Sequence, residues 1–270
     1  MENATNTYAV ITGASQGLGK CLALECAKRG MNLILVSLSG EGIGDVGQFI
    51  EWEYSVNVKT FEADLTDAEQ LQRLVRYLKT FEINVLLNNA GIGGTKPFSE
   101  ASENYIDNII FLNIRALVSL TKNLLPILSR QKSAHILNIA SMASFGAMPF
   151  KTVYPASKAF VKSFSRGLAC ELEGTGVRVS VAYPGGMPTN KEVSDRINRH
   201  GGLVRSTILG PEKVAEICIR EMLEGKEEIT PGMMTKLSRL FFKLCPESFR
   251  LAIFRKNVLR EIHEMKTCHA

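Results

Sequence analysis

The tightest constraint on this chain lies near its start. An apolar run, Tyr8 to Thr12, leads straight into Gly13-Ala14-Ser15-Gln16-Gly17-Leu18-Gly19. A helical stretch from about Gly17 to Arg29 follows, with Gly30 as its C-cap, and Asn32 to Ser37 is a second apolar run. Strand, glycine turn, helix and strand within about 30 residues form the βαβ unit of a parallel sheet. Gly13, Gly17 and Gly19 let the backbone turn tightly and approach a pyrophosphate at the helix N-terminus, where free N–H groups and the helix dipole favour an anion. A glycine pattern alone says little. Placed directly after a strand and opening a helix, it reads as a dinucleotide site.

The alternation continues to about residue 230. Ser39 to Gly47 reads as a loose, glycine-rich segment before a short helix through Phe49, Ile50 and Trp52. Val56 to Ala63 is strand-like and ends in Asp64-Leu65, and Thr66-Asp67 caps a helix running to about Lys79. Ile83 to Asn88, His135 to Ala140 and Val177 to Tyr183 are further strands. A long helix covers about Ser102 to Ser129, with Pro126 bending its end, and another runs to about Glu173. Apolar strands alternating with helices imply an α/β fold, a mostly parallel sheet covered by helices on both faces. Residues 1–232 read as one domain and 233–270 as a helical extension, packed on that domain or at an interface.

Composition excludes several classes. Hydrophobic residues at 45% and charged residues at 22% fit a globular protein with a sizeable core. No apolar run approaches the roughly 18 residues of a membrane span, and the residues ahead of Tyr8 are polar. Six cysteines show neither CxxC spacing nor histidine partners, so reduced thiols in a cytoplasmic protein are expected, with no metal. From Lys236 onward there are eight Lys/Arg against three Asp/Glu, which accounts for the whole net charge of +5. A broad nucleic-acid surface is not indicated; a basic tail is.

Within Ser141 to Lys158, Tyr154 and Lys158 stand four residues apart, on one face of any helix that carries both. Pro155 is tolerated only in a first turn, so that helix should start close to Tyr154. An ammonium near a phenol favours the phenolate and brings it toward the working range, while a nearby serine hydroxyl can hold a substrate oxygen. Taken alone, such a pair is more often a solvated helix face.

Together these stretches resemble the short-chain dehydrogenases/reductases. Thr12 to Gly19 is similar to their TGxxxGxG turn, Asn88-Asn89-Ala90-Gly91 to NNAG, Ser141 with Tyr154 and Lys158 to the Ser and YxxxK positions, and Pro184-Gly185-Gly186-Met187-Pro188-Thr189 to PGxxxT. The resemblance covers roughly residues 5 to 230. It implies a three-layer αβα Rossmann-like fold with seven strands, Glu227 to Thr230 being the candidate for the last. It also implies hydride transfer between a nicotinamide and a carbonyl/alcohol pair. Tyr154 would be the acid/base, Ser141 would hold the substrate oxygen, and Lys158 would bind the nicotinamide ribose and lower the tyrosine pKa. Asn113 would hold a relay water, its rival reading being a side chain bonded to neighbouring backbone. The cofactor would lie against Gly13, Ser15, Gln16, Gly17, Leu18, Gly19, Ser37, Asp64, Leu65, Asn89, Ala90, Gly91, Tyr154, Lys158, Pro184, Gly185, Met187 and Thr189. Asn88 and Asn89 would also tie adjacent strands together. Family members are commonly homodimers or homotetramers.

Ser37-Leu38-Ser39 ends the second strand, where an acid would mark NAD and a basic residue NADP. With neither present, and with two hydroxyls able to bond a phosphate, NADP(H) is favoured over NAD(H). Glu41 reverses that if its side chain folds back. Arg196, Arg199, His200 and Arg205 read as a solvated lid, or as a cationic mouth for an acidic substrate. Beyond Met233, apolar residues at helical spacing alternate with Lys and Arg, broken by Pro246. This extension is similar to tails of very-long-chain 3-oxoacyl-CoA reductase and hydroxysteroid dehydrogenase relatives, which points to a lipid-like or acyl carbonyl substrate. Its expected task is shielding the cleft or forming a dimer, with peripheral membrane contact ranked below both. The alternatives are an NAD-linked hydroxyacyl or hydroxysteroid dehydrogenase and, from another class, a non-catalytic dinucleotide-binding regulator.

Overall fold

A computed structural model describes residues 7–187, 209–252 and 255. Its strands are β1 (Thr7–Thr12), β2 (Asn32–Ser37), β3 (Val58–Glu62), β4 (Glu82–Asn88), β5 (Ala134–Ile139), β6 (Val177–Ala182) and β7 (Glu228–Ile229). Its helices are α1 (Gly17–Ala27), α2 (Ile43–Tyr54), α3 (Ala68–Leu78), α4 (Glu103–Ile110), α5 (Leu117–Leu128), α6 (Val153–Glu171), α7 (Pro211–Leu223) and α8 (Met233–Leu244). The strands form one parallel sheet in the order β3-β2-β1-β4-β5-β6-β7. From β1 the chain builds outward to β3, then returns to the other side of β1 with β4. Connections leaving β1 and β4 therefore diverge, and a crevice opens at the carboxyl ends of these strands.

Strand alternation sorts the core into two layers. Ala9, Ile11, Leu33, Leu35, Val85 and Leu87 meet Leu22 and Cys26 of α1, Ile50 of α2 and Cys218 and Ile219 of α7. Val10, Ile34, Val36, Leu86 and Ile136 meet Leu74 and Leu78 of α3 and Leu120 and Leu124 of α5. Burial pushes the Cys26 and Cys218 thiols up to about 12, so both serve as core residues rather than nucleophiles. The 26 residues Glu103–Leu128 are long and apolar enough to cross a membrane, but here Ala116, Leu120 and Leu124 are buried against the sheet. Phe111–Ala116, between α4 and α5, is π-helical and carries Asn113.

Three segments depart from expectation. The helix expected only around Phe49 starts at Ile43, because Gly44 and Gly47 lie inside it rather than in a loop. A Cβ at Gly47 would stand 2.9 Å from Thr60 Cγ2, so glycine is what lets α2 settle on β3. β7 spans two residues instead of four. Past Pro231 the chain packs back onto the domain. Phe242 joins the cluster around Tyr183 and Val161, Arg239 pairs with Glu228, and Arg250 Nη1 donates to the Phe145 carbonyl at 3.0 Å. Met233, Leu237, Leu240, Phe241 and Leu244 remain exposed on α8.

Candidate active site

The crevice holds a cavity of about 480 Å³, a size suited to a small-molecule cofactor. Its floor is the turn from β1 into α1. There Gly13 adopts φ +65°, and a Cβ at Gly19 would lie 1.8 Å from the Gly13 carbonyl oxygen. Only a bare Cα lets the helix begin this close to the strand, and its first residues, Gly17 to Gly19, line the cavity. Asn89 locks the turn to β4: its Nδ2 donates to the carbonyls of Thr12 (2.9 Å) and Gly13 (3.1 Å). Thr12 Oγ1 accepts from the N–H groups of Asn89 and Ala90, both at 3.0 Å. Asn88 Nδ2 reaches Asn138 (2.8 Å) and Thr121 (3.1 Å). The strand-tying role expected of this pair is what the structure shows.

Of the expected cofactor residues, Gly13, Ser15, Gln16, Gly17, Leu18, Gly19, Ser37, Asp64, Leu65, Asn89, Ala90 and Gly91 line this cavity together. An anion-attracting helix terminus, backbone bared by glycine and matching volume fit a dinucleotide. Asp64 Oδ1 accepts from the Thr66 N–H (2.8 Å) and hydroxyl (2.7 Å), which makes it a turn residue as well as cavity wall. Pro184, Gly185 and Met187 follow β6 outside the lining, Pro184 accepting from the Met142 N–H at 3.0 Å. Pro188, Thr189, Arg196, Arg199, His200 and Arg205 lie outside the described residues.

Beyond Gly91, four side chains converge. α6 begins at Val153, so Tyr154 is in its first turn and Lys158 one turn deeper, as Pro155 demands. Ser141 starts the short 3-10 turn Met142–Phe145, its Oγ accepting from the Ala143 N–H at 3.1 Å. The Ser141 side chain stands near enough to Tyr154 to oppose the rise that burial gives its pKa. A methyl group at Gly91 would meet Asn113 Oδ1 and Lys158 Nζ, each at 3.1 Å, and one at Gly93 would strike the Tyr154 ring at 2.9 Å. The Ala90–Gly93 backbone therefore lies flat over the cluster.

The surroundings of Asn113 and Tyr154 bear on two expected roles. Asn113 bonds to protein through both ends of its amide: Oδ1 accepts from the Ile92 N–H, and Nδ2 donates to the Ile92 carbonyl and to Ser157 Oγ, all at 2.9 Å. Ser157 in turn donates to the Tyr154 carbonyl at 2.7 Å. The amide thus clamps neighbouring groups, as the rival reading of the sequence expects, and Oδ1 keeps a second lone pair that a water can use. Burial raises the Tyr154 pKa, the nearby Ser141 side chain only opposing the rise, so the expected lowering by Lys158 is not met. Lys158 Nζ donates to the Ile139 carbonyl at 2.9 Å and lies 6.0 Å from the tyrosine ring centre. Ser157 was missed in the sequence, although its position three residues after Tyr154 on the same helix face was a usable signal. Ile92, which serves through its backbone, carried no side-chain signal at all. Phe145 stacks edge-on against Tyr183 at 4.8 Å and belongs to the core.

Complete burial lowers the Lys158 pKa from about 10.4 to about 8. Holding its charge at neutral pH therefore costs about 3 kcal/mol. Because the folded pKa is depressed, the penalty is full below pH 8 and fades as pH climbs toward the unfolded value. Lys158→Met should raise stability at pH 7 by about 2 kcal/mol, allowing about 1 kcal/mol for the lost hydrogen bond. The gain should shrink between pH 8 and 10, and turnover should vanish. Urea melts at several pH values check this; a destabilised, pH-independent variant would contradict it.

The family model for short chain dehydrogenase matches residues 7–199. A very-long-chain 3-oxoacyl-CoA reductase of Anas platyrhynchos is 39% identical over 182 residues, 66% of this chain and 58% of that one. A 17-beta-hydroxysteroid dehydrogenase type 3 of Mus musculus is 33% identical over 181 residues, covering 66% and 59%. The matched region thus spans under two thirds of these relatives' length. Among solved structures, a 7beta-hydroxysteroid dehydrogenase superposes with TM-score 0.83 at 25% identity, covering 92% of this chain and 96% of that one. A short-chain dehydrogenase from Sphingobium yanoikuyae in complex with NADPH gives 0.74 at 27%, covering 83% and 87%. With the turn, the Ser141–Tyr154–Lys158 cluster and the sheet order in place, this chain belongs to the short-chain dehydrogenase family.

Proposed function

We propose that this chain is a nicotinamide-dependent oxidoreductase that reduces the ketone of a bulky, lipid-like or 3-oxoacyl substrate. The observation that carries the reading is Tyr154 with buried Lys158 one turn along α6, packed under the Gly91–Gly93 backbone at the edge of a cavity that fits a dinucleotide. The nicotinamide supplies the hydride. Ser141 and Tyr154 direct their hydroxyls at one substrate oxygen, and Tyr154 gives its proton to the alkoxide as charge develops there. Its raised pKa suits that direction, keeping the phenol protonated until it is needed. Lys158 lies close enough in pKa to neutrality to return a proton to the site. Asn113 positions: through Ile92 and Ser157 it fixes the loop above the cluster and the first turn of α6. The substrate class rests on the names of the relatives, 3-oxoacyl-CoA and hydroxysteroid enzymes among them.

The test is a spectrophotometric screen with both reduced nicotinamides against 3-oxoacyl thioesters, steroid ketones, diketones and small aldehydes. Turnover is expected on the bulky ketones in preference to the aldehydes. Tight cofactor binding without turnover on any of them would transfer the case to a non-catalytic regulator.

A further inference from the structure

We propose that Glu41 sets the cofactor preference of this chain, admitting the free ribose hydroxyls of NAD(H) and turning away the 2′-phosphate of NADP(H). The inference rests on the reading above that the cavity takes a nicotinamide dinucleotide. It runs against the preference that Ser37-Leu38-Ser39 supports in the sequence.

Three observations carry it. The first is the path of the loop after β2. Gly40 (φ +78°) and Gly42 (φ +69°) are both left-handed and bracket Glu41. Such φ values strain any residue with a Cβ, so two glycines are what let the chain double back here. The bend returns the Glu41 carboxylate across the glycine turn, where Oε2 accepts from the Ser15 hydroxyl at 2.5 Å. Ser15 and Glu41 both line the cavity beside Ser37. An acid four residues past the strand end thus reaches the region where a carboxylate accepts from ribose hydroxyls.

The second concerns the hydroxyls that the sequence offers to a phosphate. Ser37 Oγ donates to the Leu38 carbonyl at 2.9 Å, and Ser39 Oγ donates to Glu62 Oε2 at 2.8 Å. The Gly40 N–H also leans on Glu62, at 3.4 Å. Both hydroxyl protons are therefore spent on other acceptors. The third is charge: the described lining contains two carboxylates, Glu41 and Asp64, and no lysine or arginine. A pyrophosphate is still served by the α1 N-terminus, which lies at the other end of the turn. A 2′-phosphate would add close to two negative charges beside Glu41, with no cation in the described lining to meet them.

Equilibrium titrations with NADH and NADPH, followed by nucleotide fluorescence, test this without turnover, and 5′-AMP against 2′,5′-ADP isolates the ribose subsite. The parent protein should bind NADH at least about tenfold more tightly than NADPH, and 5′-AMP more tightly than 2′,5′-ADP. Glu41→Gln should collapse the gap to within about threefold, chiefly by tightening NADPH. Ser15→Ala keeps the charge but frees the carboxylate, so it should narrow the gap less. Equal or tighter binding of NADPH by the parent overturns the inference whatever the variants do, and so does an unchanged ratio in a folded Glu41→Gln protein. A parent that binds neither nucleotide sinks the proposed function too, whereas reversed preference leaves that function standing.

Discussion

Tyr154→Phe is expected to bind nicotinamide cofactor almost as the parent does and to lose ketone reduction by about 10²–10⁴-fold, the usual worth of a positioned general acid. The substitution deletes one oxygen. The cavity that would hold most of the cofactor is lined by other residues, and the phenyl ring can keep its place under Gly93. Ser141 keeps the Ala143 N–H, so the cost in stability should stay within about 1 kcal/mol. Single-turnover reduction, nucleotide titration and a thermal melt on the same preparation separate these contributions. Loss of all three together would indicate a structural role. Retained single-turnover reduction would falsify the assignment of Tyr154 as the proton donor. Because burial raises its pKa, oxidation by the parent should gain more from rising pH than reduction does, since only oxidation needs the phenolate.

Much of this site could be read from the chain because the signals are local and the physics is periodic. Ala9 and Ile11 face one side of the sheet and Val10 the other, as period two requires. Pro155 fixes where α6 starts, and that start aims Tyr154 and Lys158 together. What stayed hidden depends on contacts between elements distant in sequence. Gly47 looks like a loop residue until Thr60 is seen packed against it. Glu41 could be suspected from sequence, but its direction depends on two glycines bending one loop toward another. The Tyr154 pKa goes the other way because burial, a property of the whole fold, dominates it, while the Lys158 ammonium stands 6.0 Å from the ring centre. Asn113 was recognised by position, yet its amide bonds to Ile92 and Ser157, residues that no motif marks.

Gly19→Ala should be the most damaging added methyl group among the described glycines, abolishing nucleotide binding and costing about 3 kcal/mol or more. The new Cβ would stand 1.8 Å from the Gly13 carbonyl oxygen, 2.7 Å from its carbon and 2.6 Å from Asn89 Nδ2. No flexible side-chain tip is available to yield, because the obstacle is backbone. Moving the Gly13 carbonyl breaks its bond to Asn89, which also holds Thr12. The strain therefore passes from the α1–β1 turn into the β1–β4 junction. Gly30→Ala is the matched control. It meets nothing within 4 Å, but its φ of +74° should cost about 1 kcal/mol. Urea midpoints should fall for both proteins, and much further for Gly19→Ala. NADH titration should be near parental for Gly30→Ala and flat for Gly19→Ala. Near-parental NADH binding by Gly19→Ala would mean that α1 can retreat from β1 without losing the cofactor. The closeness of helix to strand would then not be what makes this turn a dinucleotide site.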